Sequence, residues 1–132
     1  MAKIRAVPKL KKQLSINEHK KRAWRVFSKW VRTKANGVCF SCGKLVGYSK
    51  LDAGHFHGRK SSVLFMDERN VHAQCGGCNR FRGGNLGEYA TKLCEVYGAN
   101  VLLEMAPLRT VVKKWTHEEL DEIIRKYTLA EG

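Results

Sequence analysis

NVHAQCGGCNRF, residues 70–81, sets a Cys-Gly-Gly-Cys turn after a short apolar run and an asparagine directly after its second cysteine. VCFSCGK, residues 38–44, carries a second pair at the same spacing. A CxxC turn brings two thiolates to one side of an ion, and zinc takes four N or S ligands in a tetrahedron. Cys39, Cys42, Cys75 and Cys78 therefore make one closed structural zinc site per chain. Four thiolates fill the coordination sphere, leaving no position for water or substrate, so this ion is not a catalyst. The plainer alternative is a set of buried thiols with no metal. A redox pair fits poorly, because neither pair opens a helix after a parallel βαβ strand. The fifth cysteine, Cys94, falls on an apolar helix face and reads as core. An odd number of cysteines also argues against a disulfide framework.

The two pairs are separated by 32 residues, against roughly 15–20 in a simple zinc ribbon. Something folded must lie between them. After LVGY, a short strand at 45–48, comes LDAGHFHGR, residues 51–59. LDAGHFH reads as a strand whose hairpin partner is VLFM, residues 63–66, across a turn at 58–62. On such a strand His55 and His57 share one face, while Asp52 and Gly54 share the other.

Outside the knuckles the periodicity is helical. Ser15 and Glu18 form a capping box, followed by a stripe of Ala23, Phe27, Trp30, Val31 and Lys34, with Asn36-Gly37 as the stop. A short helix begins near Asn79 and is broken by Gly83-Gly84. An amphipathic helix follows from about Leu86 to Tyr97, with Gly98 ending it and Tyr89, Leu93, Cys94 and Tyr97 on its buried side. NVLLEMA is a further helical segment. A second capping box, Thr116 to Glu119, opens the last helix, whose apolar face is Leu120, Ile123, Ile124 and Tyr127. The class is α+β, organised as a basic flexible arm over residues 1–14 and one domain over 15–132. His72 is expected to steady the second knuckle, and His19 and His117 to lie on the surface.

Charge separates one end from the rest. The chain of 132 residues has a formal net charge of +13. Residues 1–34 hold 12 Lys or Arg against the single acid Glu18. A basic segment interleaved with Trp24, Phe27 and Trp30 is the footprint of a nucleic-acid binder. Lys20, Lys21, Arg22, Arg25, Lys29 and Arg32 are the candidate phosphate contacts, with Arg59 in the hairpin region as another. A solvated amphipathic helix, or one touching acidic lipid, is the competing reading. No apolar run reaches the ~20 residues of a membrane span, and the N-terminus lacks a secretory apolar core. The expectation is a cytoplasmic protein.

The order CFSCGK, DAGHF, NVHAQCGGCN and GNLGEY…YG resembles the lambdoid-phage NinG (Rap) recombination endonuclease family, within the zinc-knuckle HNH, or ββα-metal, nucleases of endonuclease VII type. The resemblance spans about Phe27 to Tyr127. It implies a small zinc-stabilised ββα-metal core flanked by a basic N-terminal helix and C-terminal helices, in a protein acting in the bacterial host cell. It also implies a DNA endonuclease, selective for branched recombination intermediates such as D-loops or Holliday junctions. By position His55 is then the general base, Asn79 a ligand of a catalytic Mg²⁺ or Mn²⁺, and Asn70 the brace of the loop carrying the base. Where endonuclease VII has an acid before the base, this chain has Gly54. Asp52 is the replacement ligand, brought into range by a bulge at Ala53-Gly54. His57 is an alternative metal ligand or phosphate contact; a polar residue ending the strand is the other reading. Resolving a junction takes two nicks, which makes a homodimer attractive, although no heptad is visible. Against the enzyme stand a non-catalytic zinc-containing DNA-binding or recombination accessory protein and an RNA-binding zinc protein.

Overall fold

The structure is a computed structural model that describes residues 14–131; the basic arm expected over 1–14 lies almost wholly outside the described residues. Helix α1 (Ile16–Lys34) begins at the expected capping box: Ser15 Oγ accepts from the Glu18 amide at 3.1 Å while the Glu18 carboxylate accepts from the Ser15 amide at 3.3 Å. It turns out at Asn36 and Gly37, both with positive φ. Strands β1 (Leu51–His55) and β2 (Val71–Cys75) follow, then a π-helical turn (Gly77–Phe81), α2 (Leu86–Tyr97), α3 (Val101–Met105) and α4 (His117–Glu131). The second capping box is also formed, between Thr116 and Glu119.

The α+β class holds, but the sheet differs from the expected hairpin. β1 pairs antiparallel with β2, in the register Leu51↔Cys75, Asp52↔Gln74, Ala53↔Ala73, Gly54↔His72 and His55↔Val71. VLFM, residues 63–66, is not its partner; it lies in a run of turns. The reason is burial in two directions. Leu64 enters one core with Tyr89, Leu93, Val101 and Met105, whereas Phe65 and Met66 enter the other with α1. A regular strand would return Met66 to the side of Leu64, whereas Phe65 and Met66 share one core and Val63 and Leu64 the other. LVGY makes only a single bridge, Val38↔Leu45. β1 stops at His55, so His57 lies past the strand, and the register through Ala53 and Gly54 has no bulge. The short helix starts at Gly77 rather than near Asn79.

The sheet lies between two apolar clusters. Leu51, Ala53, Val71 and Ala73 face α1 and α4, packed with Ala23, Phe27, Val31, Leu120 and Tyr127. On the opposite face, strand alternation turns Asp52, Gly54, His72 and Gln74 toward the knuckles and α2. His19, expected on the surface, is only 7% exposed. It stacks on His117, bonds to it at 2.6 Å and meets Asp121 at 3.0 Å, which ties α1 to α4. The helical stripe marked the apolar residues of α1 but not this polar junction.

Candidate functional site

The first knuckle is a turn in which Cys39 N–H donates to Lys44 O at 2.9 Å and Gly43 N–H to Cys39 O at 3.0 Å. It is attached to the sheet through Phe40 N–H and Ala73 O, 2.8 Å apart. The second knuckle leaves the end of β2. Together they bring the four Sγ atoms within 4.8 Å of one another. A tetrahedron with Zn–S of about 2.3 Å has edges of about 3.8 Å, and Cys42 Sγ lies 3.8 Å from Cys75 Sγ. The set can hold zinc. Burial raises the Cys39 thiol, yet amide donors from Cys42, Cys75 and Ser41 bring it down to about 7. Burial pushes Cys78 up to about 12 despite the Asn85 amide donating to its sulfur at 3.3 Å. Four thiolates in so small a volume require a divalent ion to offset their repulsion. Cys94 is half-buried beside the α2 cluster, as expected.

His72 links the sheet to α2. Its ring stacks on Phe40 with centroids 3.9 Å apart, and its nitrogens lie 3.2 Å from Tyr89 Oη and 2.8 Å from Tyr97 Oη. Burial lowers its pKa to about 3, with Lys34 adding to the effect, so the ring is neutral. One tautomer satisfies the chain: Tyr97 donates to His72, His72 to Tyr89, and Tyr89 to Gly54 O at 2.7 Å. His72 thus steadies the first knuckle by stacking and α2 by hydrogen bonds.

On the α1 side, His55 stacks on Trp24 at 4.9 Å and on Phe65 at 5.4 Å. Its Nε2 lies 3.0 Å from Phe65 O, and since a carbonyl only accepts, Nε2 carries the proton. Nδ1 is left with the lone pair. Burial, opposed by the bond to Phe65 and assisted by the Arg59 charge, lowers the ring's pKa to about 4. At neutral pH His55 is an unprotonated base.

Asn70 is fully buried. Its Oδ1 accepts from the His57 amide at 2.8 Å, and its Nδ2 donates to His57 O and Leu64 O, each at 3.0 Å. These bonds close the loop between β1 and β2. Asn70→Ala leaves the His57 N–H and C=O unpaired, while Leu64 O keeps the Asp67 amide at 3.2 Å; at about 1–3 kcal/mol for an unsatisfied group, a loss of about 2–3 kcal/mol is expected in denaturant unfolding of the zinc-loaded protein. A change below about 1 kcal/mol would mean that water replaces the amide.

Asp52 and Asn79 come together without a bulge. Asn79 Nδ2 donates to Asp52 Oδ2 at 3.1 Å, and Arg80 Nε approaches the same oxygen at 3.0 Å. They meet because β1 and the turn after the second knuckle converge on one sheet face. His57 does not join them: Arg109 is its charged neighbour, and burial followed by that charge lowers its pKa. Gln74, Arg80 and Asn85 were missed at the sequence level, and Tyr89 was placed only on the buried side of α2. Only Gln74 left a trace there, as the alternate residue of VHAQC that faces Asp52.

Two adjoining hollows open on the Trp24 side of α1. One of about 500 Å³ is lined by Asn17, Lys20, Lys21, Trp24, Arg25, Arg59 and Phe65. A smaller one of about 250 Å³ shares Trp24 and Arg59 with it and adds Ser28, Arg32, Leu51, Asp52 and Ala53. The Arg59 guanidinium lies over Trp24 at 5.1 Å and Phe65 at 5.2 Å. Arg22 and Lys29 are exposed on the same helix outside these linings. Arg32 is half-buried, donating to Ser28 O at 3.1 Å and lying over Tyr48.

The family model described as Bacteriophage Lambda NinG protein matches residues 2–130. The chain belongs to the NinG family. "Protein ninG" of Escherichia phage 933W and of Salmonella phage P22 are each 33% identical over 109 residues, covering 81% of this chain and 53% of the relative. "Protein ninG" of Escherichia phage lambda is 31% identical over 109 residues, covering 81% of this chain and 52% of that protein. The chain thus spans about half the length of the curated NinG relatives it matches. No solved structure matches. Among the described residues, no helix is long and apolar enough to cross a membrane.

Proposed function

We propose that this NinG-family chain is a metal-dependent DNA endonuclease of the HNH type, acting on branched recombination intermediates. The observation that carries the reading is His55: a neutral imidazole, fixed by Trp24, Phe65 and the Phe65 carbonyl, beside hollows lined by Asp52 and by cationic side chains. An antiparallel strand pair followed by a helical turn, held by a zinc-type knuckle, supports the ββα core.

His55 Nδ1 takes the proton from a water that attacks the scissile phosphorus. Its low pKa keeps the lone pair available at neutral pH, while Trp24 and Phe65 hold the ring in place. Arg59 and Lys20, held over the Phe65 ring, meet phosphate oxygens and set the strand against β1. Asp52 and Asn79 offer a carboxylate and an amide, hard oxygen donors that fit Mg²⁺ or Mn²⁺. When bound, such an ion supplies positive charge to the phosphate and the departing 3′ oxygen. His57, away from this pair, is left as a phosphate contact.

The test is Mg²⁺- and Mn²⁺-dependent nicking of linear and four-way-junction DNA by the zinc-loaded chain. Activity, greater on the junction, is expected. No nicking with either ion by a folded, zinc-loaded protein would favour the accessory DNA-binding reading, which the pairing of Asp52 with Arg80 supports. Competition by RNA at fixed salt separates the RNA-binding alternative. Junction cleavage that rises with the square of protein concentration would support a homodimer.

Neutralising Lys20, Lys21, Arg25 and Arg59 together should weaken DNA binding and flatten its salt dependence, by about 0.9 in log–log slope for each residue that meets a phosphate. Fluorescence anisotropy across a salt series measures this. An unchanged slope would place the DNA elsewhere.

A further inference from the structure

Gln74 lies in β2 directly across from Asp52 and is fully buried. Its Nε2 donates to Ser41 Oγ and to Gly84 O, both at 2.8 Å. Since Gly84 O can only accept, the nitrogen must face it, and Oε1 must face the other way. That oxygen has no hydrogen-bond partner among the described residues. Burying an amide oxygen without a hydrogen-bond partner is unfavourable.

The oxygen is aimed at Gly54. A Cβ there would lie 2.0 Å from Gln74 Oε1 and 2.9 Å from Asn79 Oδ1. Asn79 has its orientation fixed in the same way, because its Nδ2 donates to the Asp52 carboxylate. Two amide oxygens, each with its NH₂ end engaged elsewhere, are therefore turned toward one point, with the Asp52 carboxylate bonded to the nitrogen of the Asn79 amide. Carbonyl dipoles facing each other repel unless something positive stands between them. Gly54 is thus the residue whose missing side chain admits the Gln74 oxygen.

We propose that Gln74 Oε1 is a ligand in a divalent-cation site with Asn79 Oδ1 and Asp52, standing in for the acid missing at position 54. The proposal deepens the nuclease reading by naming a ligand for the ion that reading requires, and so rests on it. Three oxygen donors, two of them neutral, suit a small hard cation that keeps several waters, such as Mg²⁺, and suit zinc poorly.

The probe is Mn²⁺, added to the zinc-loaded full chain and followed by the side-chain amide NMR signals and by calorimetry. At substoichiometric Mn²⁺ the Gln74 and Asn79 NH₂ signals should broaden first, and excess Mg²⁺ should restore them. Gln74→Met should weaken Mn²⁺ binding at least tenfold with zinc content unchanged. Asn79→Asp, at a half-exposed position, should strengthen it. Gln74 signals that stay sharp while Asn79 broadens would overturn the proposal and leave Oε1 facing a buried water. So would unchanged affinity in Gln74→Met. If Gln74→Met loses zinc, the wild-type NMR result decides alone. Mn²⁺ held by Gln74 in a protein that nicks no DNA would keep the ion site and overturn the nuclease reading. Nicking that needs Asn79 but an ion that ignores Gln74 would do the reverse.

Discussion

His55→Gln should lower Mg²⁺-dependent nicking by about 10²–10⁴-fold, the range for removing a general base, while zinc content stays the same. Glutamine can still donate to Phe65 O, so the loop keeps its anchor while the ring nitrogen that accepts a proton is gone. The wild-type pH profile carries a second signature. Burial holds His55 at about 4 rather than 6.5, so the acid limb of cleavage assigned to this group should fall near pH 4. Stability runs in the same direction. Between pH 6.5 and 4 the unfolded chain takes up the proton and the folded chain does not, so the fold loses stability as pH falls through that window. His55→Gln should remove part of that loss, as read from melting temperatures of zinc-loaded proteins. An acid limb near 6.5, or full cleavage by His55→Gln, would take the base role from this residue.

Cys75→Ser should abolish zinc binding and the cooperative unfolding transition together. Structural zinc contributes on the order of 10–16 kcal/mol in small zinc modules, against the 5–15 kcal/mol by which a typical domain is stable. Here the loss reaches beyond the knuckles. Cys75 ends β2, Phe40 of the first knuckle bonds to Ala73, and Gln74 reaches back to Ser41. Releasing one thiolate therefore loosens the strand that faces Asp52 and the turn that carries Asn79. Metal analysis and thermal melting monitored by circular dichroism check this. One zinc per chain, with a melting point within a few degrees of wild type, would show that the four sulfurs are not a structural site.

Several parts of the site were legible because their signals are local. The capping boxes at Ser15 and Thr116, the bounds of α2 and the four zinc-type ligands each depend on residues a few positions apart. Asn70 and Asn79 were placed by resemblance. The structure gives Asn70 the loop contacts a brace needs, and sets Asn79 against Asp52. The bulge expected at Gly54 fails for an instructive reason: a regular strand already turns Asp52 toward Asn79, once β2 rather than residues 63–66 is its partner.

The sequence by itself determined the helices, the sulfur cluster and the concentration of positive charge at one end, because caps, CxxC turns and charge counts need no distant partner. Only the tertiary structure decided which strand pairs with β1, that His19 is buried against His117, and that Gln74 occupies the space beside Gly54. Each of those depends on which face of an element meets another across tens of residues. Burial on both sides of a two-stranded sheet, together with the need to pair its buried polar groups, makes that choice.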